Sequence, residues 1–453
     1  MPMPSTQNEG LKREIGLGGL FLSVINNTIG SAIFLLPAIV ASIPGTGSIL
    51  AYIICGSLFL LLMLCYAEIS SQVTVSGGAY AYIETAFGPY AGFLSNTLFW
   101  FGTGVFVCAA LVNGAADILS AVLPFFKIPL YRALFFALLL GLFAFINIKG
   151  VRQGMFLVKL LTIIKLATVF LLIIWGAIGS NAANLKWEHA PTFESLGPIS
   201  LVIFFAFAGG ETALNVGGEI KNPNRTGPLA LLWGMLATIV IFCAIQLVAQ
   251  GVMGDELLQH KEAPLAAMAG KLMGPWGYKI VIAGSLTAIL GVLSALPLVF
   301  SRVMFAGAKD GFLPAYLAKV HPRFATPANA IITFSTVAFV VAVSGGFKQL
   351  AIIVSATLLL IYAAVVLATI KFRINGSANK PGTFKLPGGL AIPIAALAAT
   401  GAFFIQLEMK EIIGVTVFIC VLSLIYFFRK FQRKSSVNSS LSQVLVDANT
   451  KTI

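Results

Sequence analysis

Twelve long apolar stretches, strung almost end to end between Leu17 and Phe431, constrain this chain more than any other feature. A helix that crosses hydrocarbon needs about 20 mostly apolar residues. The stretches at 17–43, 47–73, 91–122, 131–149, 154–178, 198–217, 228–253, 278–306, 327–344, 349–371, 388–407 and 411–430 are of that order. A soluble domain keeps roughly a quarter of its residues charged, whereas here 10% are charged and 58% hydrophobic. A soluble globule is thereby excluded. A membrane β-barrel would alternate polar and apolar residues in segments of roughly ten, but LLWGMLATIVIFCAIQLVAQ from Leu231 is apolar throughout. The sequence predicts an all-α membrane protein of twelve transmembrane helices.

The first stretch follows a polar lead, Met1 to Ile15, and runs to Ile43. It is too long for a signal-peptide core and shows no small-residue cleavage site, so it is expected to remain as a span. Cys55, Cys65, Cys108, Cys243 and Cys420 lie in apolar runs, are odd in number and form no C-x-x-C pair. They read as small buried hydrophobes rather than as disulfide partners or metal ligands.

The formal charge of +13 raises nucleic acid as a partner, but the basic residues are scattered among short connections. Membrane orientation explains them better. Connections on one side carry Lys149, Arg152, Lys221, Arg225, Lys309, Lys319, Arg323, Lys371, Arg373, Lys380 and Lys385, and both chain ends add more. The opposite side holds fewer, so the positive-inside rule places both termini in the cytoplasm. Residues 1–16 are expected to form a cytoplasmic lead, 17–434 the membrane domain, and 435–453 a disordered cytoplasmic tail rich in Ser and Asn. The segment Ser70 to Phe87 reads as a re-entrant turn and a short interfacial helix.

Polar and small residues interrupt two spans at mid-membrane depth: Asn26 to Ser31 in span 1, and Phe207 to Glu211 in span 6. Such a break is costly unless the freed backbone groups line a cavity or meet a ligand. An unwound stretch presents N–H groups to an anion and carbonyls to an ammonium, and a zwitterionic amino acid supplies both charges. One glycine-containing break is explained as well by close helix packing. Two breaks five spans apart, in matching positions of an inverted repeat, favour a binding site.

These residues resemble the amino acid-polyamine-organocation superfamily, which has the leucine-transporter fold. The matches are Ile29 to Pro37 in span 1, Tyr66-Ala67-Glu68-Ile69-Ser70 ending span 2, and Ser76-Gly77-Gly78-Ala79-Tyr80 with Phe87-Gly88-Pro89. Phe205 to Glu211, Glu219 to Arg225 and Ala308 to Pro314 follow in family order. The resemblance implies a 5+5 inverted repeat, spans 1–5 and 6–10, plus two C-terminal helices. It implies secondary active transport of an amino acid across the cytoplasmic membrane by alternating access, through proton symport or substrate exchange. The substrate carboxylate would meet amides near Ser31 and Ala32, in the stretch Thr28, Ile29, Gly30, Ser31 and Ala32. The ammonium would meet carbonyls at Thr28, Phe205 and Ala208, beside Gly209. Ala32 stands where the family often has a second glycine. Arginine-agmatine exchangers place tryptophans in spans 6 and 8 and an asparagine in span 3, where this chain has Phe205, Leu296 and Val107. An apolar lining points to a neutral substrate; a cationic amino acid or polyamine antiporter is the alternative.

Lys165 lies mid-span, too deep to snorkel easily, and intramembrane ionisable groups are functional by default. In sodium-independent members of the superfamily a lysine at the matching place resembles a fixed stand-in for a sodium ion, bracing spans 1 and 8, where it could exchange a proton. Glu211 directly follows the second break and could couple, gate or tie helices together. Phe207 is a gating candidate by its place at that break. Glu68 and Glu219 read as gate or loop-anchoring residues, Asp117 as solvated, and Lys159 as free to snorkel.

No catalytic set, metal site or cofactor motif is present: His189, His260 and His321 fall in predicted connections, with no H-E-x-x-H or G-x-S-x-G run. A channel or a solute sensor remains as another class. Matched broken spans favour alternating access.

Overall fold

The computed structural model describes residues 15–428 apart from 31, 43–46, 74–77, 150, 187–192, 310–312, 325 and 376–382, and for 151–161, 193–198, 215–219, 298 and 306 the backbone alone. Several sequence expectations therefore lie outside the described residues. They are the cytoplasmic lead up to residue 14, the tail, Ser31, Ser76 and Gly77, His189, Asp310 to Phe312, and the side chains of Lys159 and Glu219.

With no water in hydrocarbon to pair backbone groups, an apolar chain satisfies them within helices. The order is α1 (Leu17–Thr28), α2 (Ala32–Val40), α3 (Gly47–Gln72), α4 (Ala79–Phe87) and α5 (Pro89–Thr97). A π-helical segment, Leu98–Val105, carries α5 into α6 (Phe106–Ser120). Next come α7 (Pro129–Lys149), α8 (Val151–Gly179) and α9 (Phe193–Phe207), which passes into a 3-10 helix, Gly210–Glu219. The order ends with α10 (Pro223–Met253), α11 (Pro264–Lys309), α12 (Ala328–Ser344), α13 (Phe347–Ile374), α14 (Ala391–Phe404) and α15 (Met409–Phe428). Among the described residues, 8 helices are long and apolar enough to cross a membrane, or 9 with α1 and α2 taken as one bent span. Ile199–Leu214, α12 and α14 are shorter apolar helices.

The helices depart from the predicted spans in three places. A further helical segment starts at Pro264 ahead of the eighth stretch, and Gly274, non-helical at φ 69, separates it from the stretch itself, which resumes at Pro275. The third stretch contains the π-helical turn, which no apolar periodicity announces. In the Ser70 to Phe87 segment, α3 continues to Gln72 and α4 starts at Ala79. The cysteines differ too: Cys55, Cys65 and Cys108 are buried, but Cys243 is half-buried and Cys420 exposed. Cys420 lies on α15, whose side chains mostly face outward.

Helices in a bilayer gain nothing from hiding apolar surface from lipid, so close backbone approach over small residues carries the packing. A Cβ at Gly234 of α10 would lie 2.5 Å from Val24 Cγ1 of α1, and one at Gly284 of α11 would lie 2.5 Å from Thr168 Oγ1 of α8. α10 thereby packs closely on α1, and α11 on α8, the helix that carries Lys165. Overpacking such a contact costs about 1–3 kcal/mol. Gly234→Val is expected to lower the unfolding midpoint of the detergent-solubilised protein, whereas Gly141→Ala, with nothing within 4 Å of the new carbon, leaves it unchanged or higher. Equal midpoints for the two variants would refute this packing.

Candidate functional site

α1 stops at Thr28, whose hydroxyl donates back to the Val24 carbonyl at 2.9 Å. The Ile29 N–H still reaches the Ile25 carbonyl at 2.9 Å, but the Gly30 N–H turns to the Thr28 carbonyl at 2.9 Å, and the chain bends by 51° before α2 begins at Ala32. The interruption exposes carbonyls in the bundle interior, where each needs a donor. Lys165 of α8 supplies it. Its Nζ donates to the Asn26 carbonyl at 2.9 Å, to Asn26 Oδ1 at 2.7 Å and to the Ile29 carbonyl at 2.7 Å. Thr162, about one turn earlier, donates to the same Oδ1 at 3.0 Å.

Lys165 is 2% exposed. An ammonium has three N–H donors, and all three are spent on α1. The resemblance implied a brace to span 8 as well; among the described residues the hydrogen bonds of Lys165 all go to α1.

The second break is built differently. α9 ends at Phe207, and the Ala208 N–H is shared between the Phe204 and Phe205 carbonyls at 3.2 and 3.3 Å. Gly209 follows at φ 112, in the left-handed region that favours glycine. Its N–H donates to Glu211 Oε2 at 2.9 Å, so the carboxylate caps the backbone just freed. The Thr212 N–H closes the turn on the Gly209 carbonyl at 3.1 Å.

The two breaks meet. A Cβ on Gly209 would lie 2.7 Å from the Asn27 carbonyl oxygen, and one on Gly210 would lie 2.6 Å from Thr28 Oγ1. Asn27 Nδ2 also donates to Thr212 Oγ1 at 3.1 Å. Thr28, Ile29, Gly30, Ala32, Ala208, Gly209 and Glu211 therefore gather around one crossing, with Lys165 bonded to it from α8.

Other expected residues sit differently. The Phe205 ring packs edge-on against Phe347 at 5.9 Å, whereas Phe207 is fully buried among Tyr52, Phe59 and Phe242. Phe207 is a core residue in this conformation. Val107 and Leu296 are half-buried. Asp117, expected to be solvated, pairs with Arg132 at 2.7 Å, because α7 brings that guanidinium across to α6 and Asn113 Oδ1 accepts its second arm at 2.9 Å. Glu68 is buried and pairs with Arg373.

Sequence reasoning missed four groups. Thr162 and Thr212 are polar residues near the breaks, a signal that was available. Tyr66 and Tyr362, whose rings meet edge to face at 5.3 Å, place their hydroxyls within electrostatic range of Glu211. The π-helical turn is the fourth: a Cβ on its Gly104 would lie 2.5 Å from the Phe300 ring, and one on Gly102 would lie 2.3 Å from Thr357 Cγ2. Gly102-Thr103-Gly104 inside an apolar run was its only trace. Among the described residues no group of three His, Cys, Asp or Glu side chains could hold a metal ion.

A family model described as "Amino acid permease" matches residues 15–431. The serine/threonine exchanger SteT of Bacillus subtilis is 29% identical over 408 residues, which are 88% of this chain and 92% of the relative. The branched-chain amino acid permease BcaP of the same organism is 24% identical over 450 residues, 94% of this chain and 95% of the relative. Its methylthioribose transporter is 27% identical over 452 residues, 95% of this chain and 96% of the relative.

Hydrogen bonds to charged groups contribute about 1.5–3 kcal/mol each, so Lys165 governs how firmly the first break is held. In Lys165→Met, amide hydrogen exchange over α1 and α2 is expected to rise by about tenfold or more. Exchange as slow as in the parent would show that the break is held by other contacts.

Proposed function

We propose that this chain, which belongs to the amino acid permease family of the amino acid-polyamine-organocation superfamily, carries a neutral amino acid across the cytoplasmic membrane by alternating access. The family and the relatives are transporters rather than enzymes. The chain is an integral membrane protein that transports amino acids; the substrate class, the coupling and the binding geometry are our reading.

The substrate carboxylate sits on the amides at Ser31 and Ala32, where α2 begins and its dipole favours an anion. The ammonium sits on the carbonyls of Thr28, Phe205 and Ala208. The Thr28 and Phe205 carbonyls each accept one backbone N–H already, and a carbonyl has a second lone pair for the substrate. Around the side chain, Phe205, Leu296 and Val107 give an apolar lining, and a second positive charge would need an added acid or an aromatic cage. The relatives named for serine and threonine and for branched-chain amino acids support a neutral substrate.

The observation that carries this reading is the Lys165 ammonium, seated among three acceptors of the broken α1. A side-chain cation at that place substitutes for a sodium ion and leaves proton symport or substrate exchange as the coupling. Glu211, at the second break, is the other coupling candidate, and Phe207 gates by moving out of the core. The architecture that accompanies this is twelve spans, five plus five inverted and two more, with both termini in the cytoplasm. Lys149 ending α7 and Lys309 ending α11 support that orientation.

Purified protein in liposomes, offered a panel of amino acids, amines and methylthioribose with and without internal substrate and a pH gradient, tests the proposal. Saturable uptake of a neutral amino acid with counterflow is expected, and Lys165→Ala is expected to lose concentrative uptake altogether. Uptake restricted to arginine or polyamines would overturn the neutral substrate. Non-saturable flux without counterflow would indicate a channel, and normal concentrative uptake by Lys165→Ala would sink the role of the lysine.

A further inference from the structure

The chain ahead of α14 lies against the end of α3 at Phe384 and Leu386, and how it is held there is unusual. Glu68, about one turn before the end of α3, is 0% exposed. Arg373, at the end of α13, wraps its carboxylate: Nε donates to Oε1 at 2.6 Å and Nη2 engages Oε2. The same Oε2 accepts the Leu386 N–H at 2.9 Å, and Arg373 Nη2 lies 3.3 Å from the Leu386 carbonyl. Ser71 Oγ, three residues on from Glu68, accepts the Phe384 N–H at 3.1 Å, and its one hydrogen lies between the Glu68 carbonyl at 2.8 Å and the Phe384 carbonyl at 3.2 Å.

Phe384 to Leu386 therefore forms an extended strap. The backbone groups of Phe384 and Leu386 pair with the side chains of Ser71, Glu68 and Arg373. Leu386 faces inward, 4% exposed, while Lys385 between the two faces out.

A permanent staple would be better made of apolar groups, since a buried ion pair rarely repays its desolvation. Charged and hydroxyl partners have a different advantage: once separated, each is stable in water. Among the described residues the pairing is also incomplete, for Arg373 Nη1 is buried there without a hydrogen-bond partner. Both helices bear on the candidate site, because Tyr66 of α3 and Tyr362 of α13 meet beside Glu211.

We propose that Glu68, Ser71 and Arg373 are positioning residues of a latch: they hold the Phe384–Leu386 strap across the ends of α3 and α13, and it lets go each time that end of the transporter opens. This rests on the alternating-access reading and names the device that keeps one end shut.

Two measurements test it. In protein whose five native cysteines are replaced, Ser71→Cys together with Phe384→Cys is oxidised to join strap and helix. Uptake of the substrate found by the liposome panel is expected to fall at least tenfold and to return on reduction. Uptake at the reduced protein's rate while cross-linked overturns the latch, because locking a static staple would change nothing. If the reduced protein carries no solute, the transport reading has failed, and the second measurement judges the latch alone.

That measurement uses Cys65, fully buried on α3, as the one remaining native cysteine. N-ethylmaleimide labelling of purified protein is expected to quicken about fivefold in Ser71→Ala, which loosens the strap without stripping a buried charge. Glu68→Gln combined with Arg373→Gln should quicken it further. Labelling at the parent's rate in either folded variant overturns the proposal.

Discussion

An ammonium bonded to a broken helix is the interaction on which the rest of this structure depends. α1 cannot unwind inside a bundle unless the carbonyls it frees find donors, and Lys165 delivers three hydrogen bonds from one side chain to Asn26 and Ile29. The cost of burying that charge is offset because Thr162 and Asn26 complete a polar nest around it. α8 is thereby tied to α1, and the crossing of α1 with the α9 break acquires a defined position. Remove the lysine and the break becomes a set of unpaired acceptors in an apolar interior.

The second break solves the same problem locally. Glu211 caps the Gly209 N–H from two residues away, and Gly209 takes a backbone conformation that also lets the Asn27 carbonyl approach. One break is held from outside by Lys165 and the other from within by Glu211. Small residues at the helix contacts let α10 close on α1 and α11 on α8, and Phe384 to Leu386 are tied to the ends of α3 and α13.

Much of this was legible from residues alone. Long apolar runs announce helices because hydrocarbon permits little else, and Asn26 to Ser31 and Phe207 to Glu211 stand out as interruptions because polar residues are expensive at that depth. Lys165 stood out for the same reason. What the sequence could not reveal was the partner of each polar group. Asp117 looked solvated until α7 brought Arg132 to it, and Lys165 pointed to two spans although its three donors are consumed by one. The π-helical turn was illegible because one extra residue per turn leaves hydrophobicity unchanged, and the strap because Ser71 and Phe384 lie 313 residues apart.

The central claim is that a protein cation occupies the place where a sodium ion would otherwise support substrate binding. Calorimetric titration of the purified protein with its preferred neutral amino acid, in sodium buffer and in choline buffer, tests this most directly. The account predicts the same dissociation constant in both. Binding that appears only in sodium, or tightens tenfold with it, would contradict the assignment of Lys165 and with it the explanation of the first break.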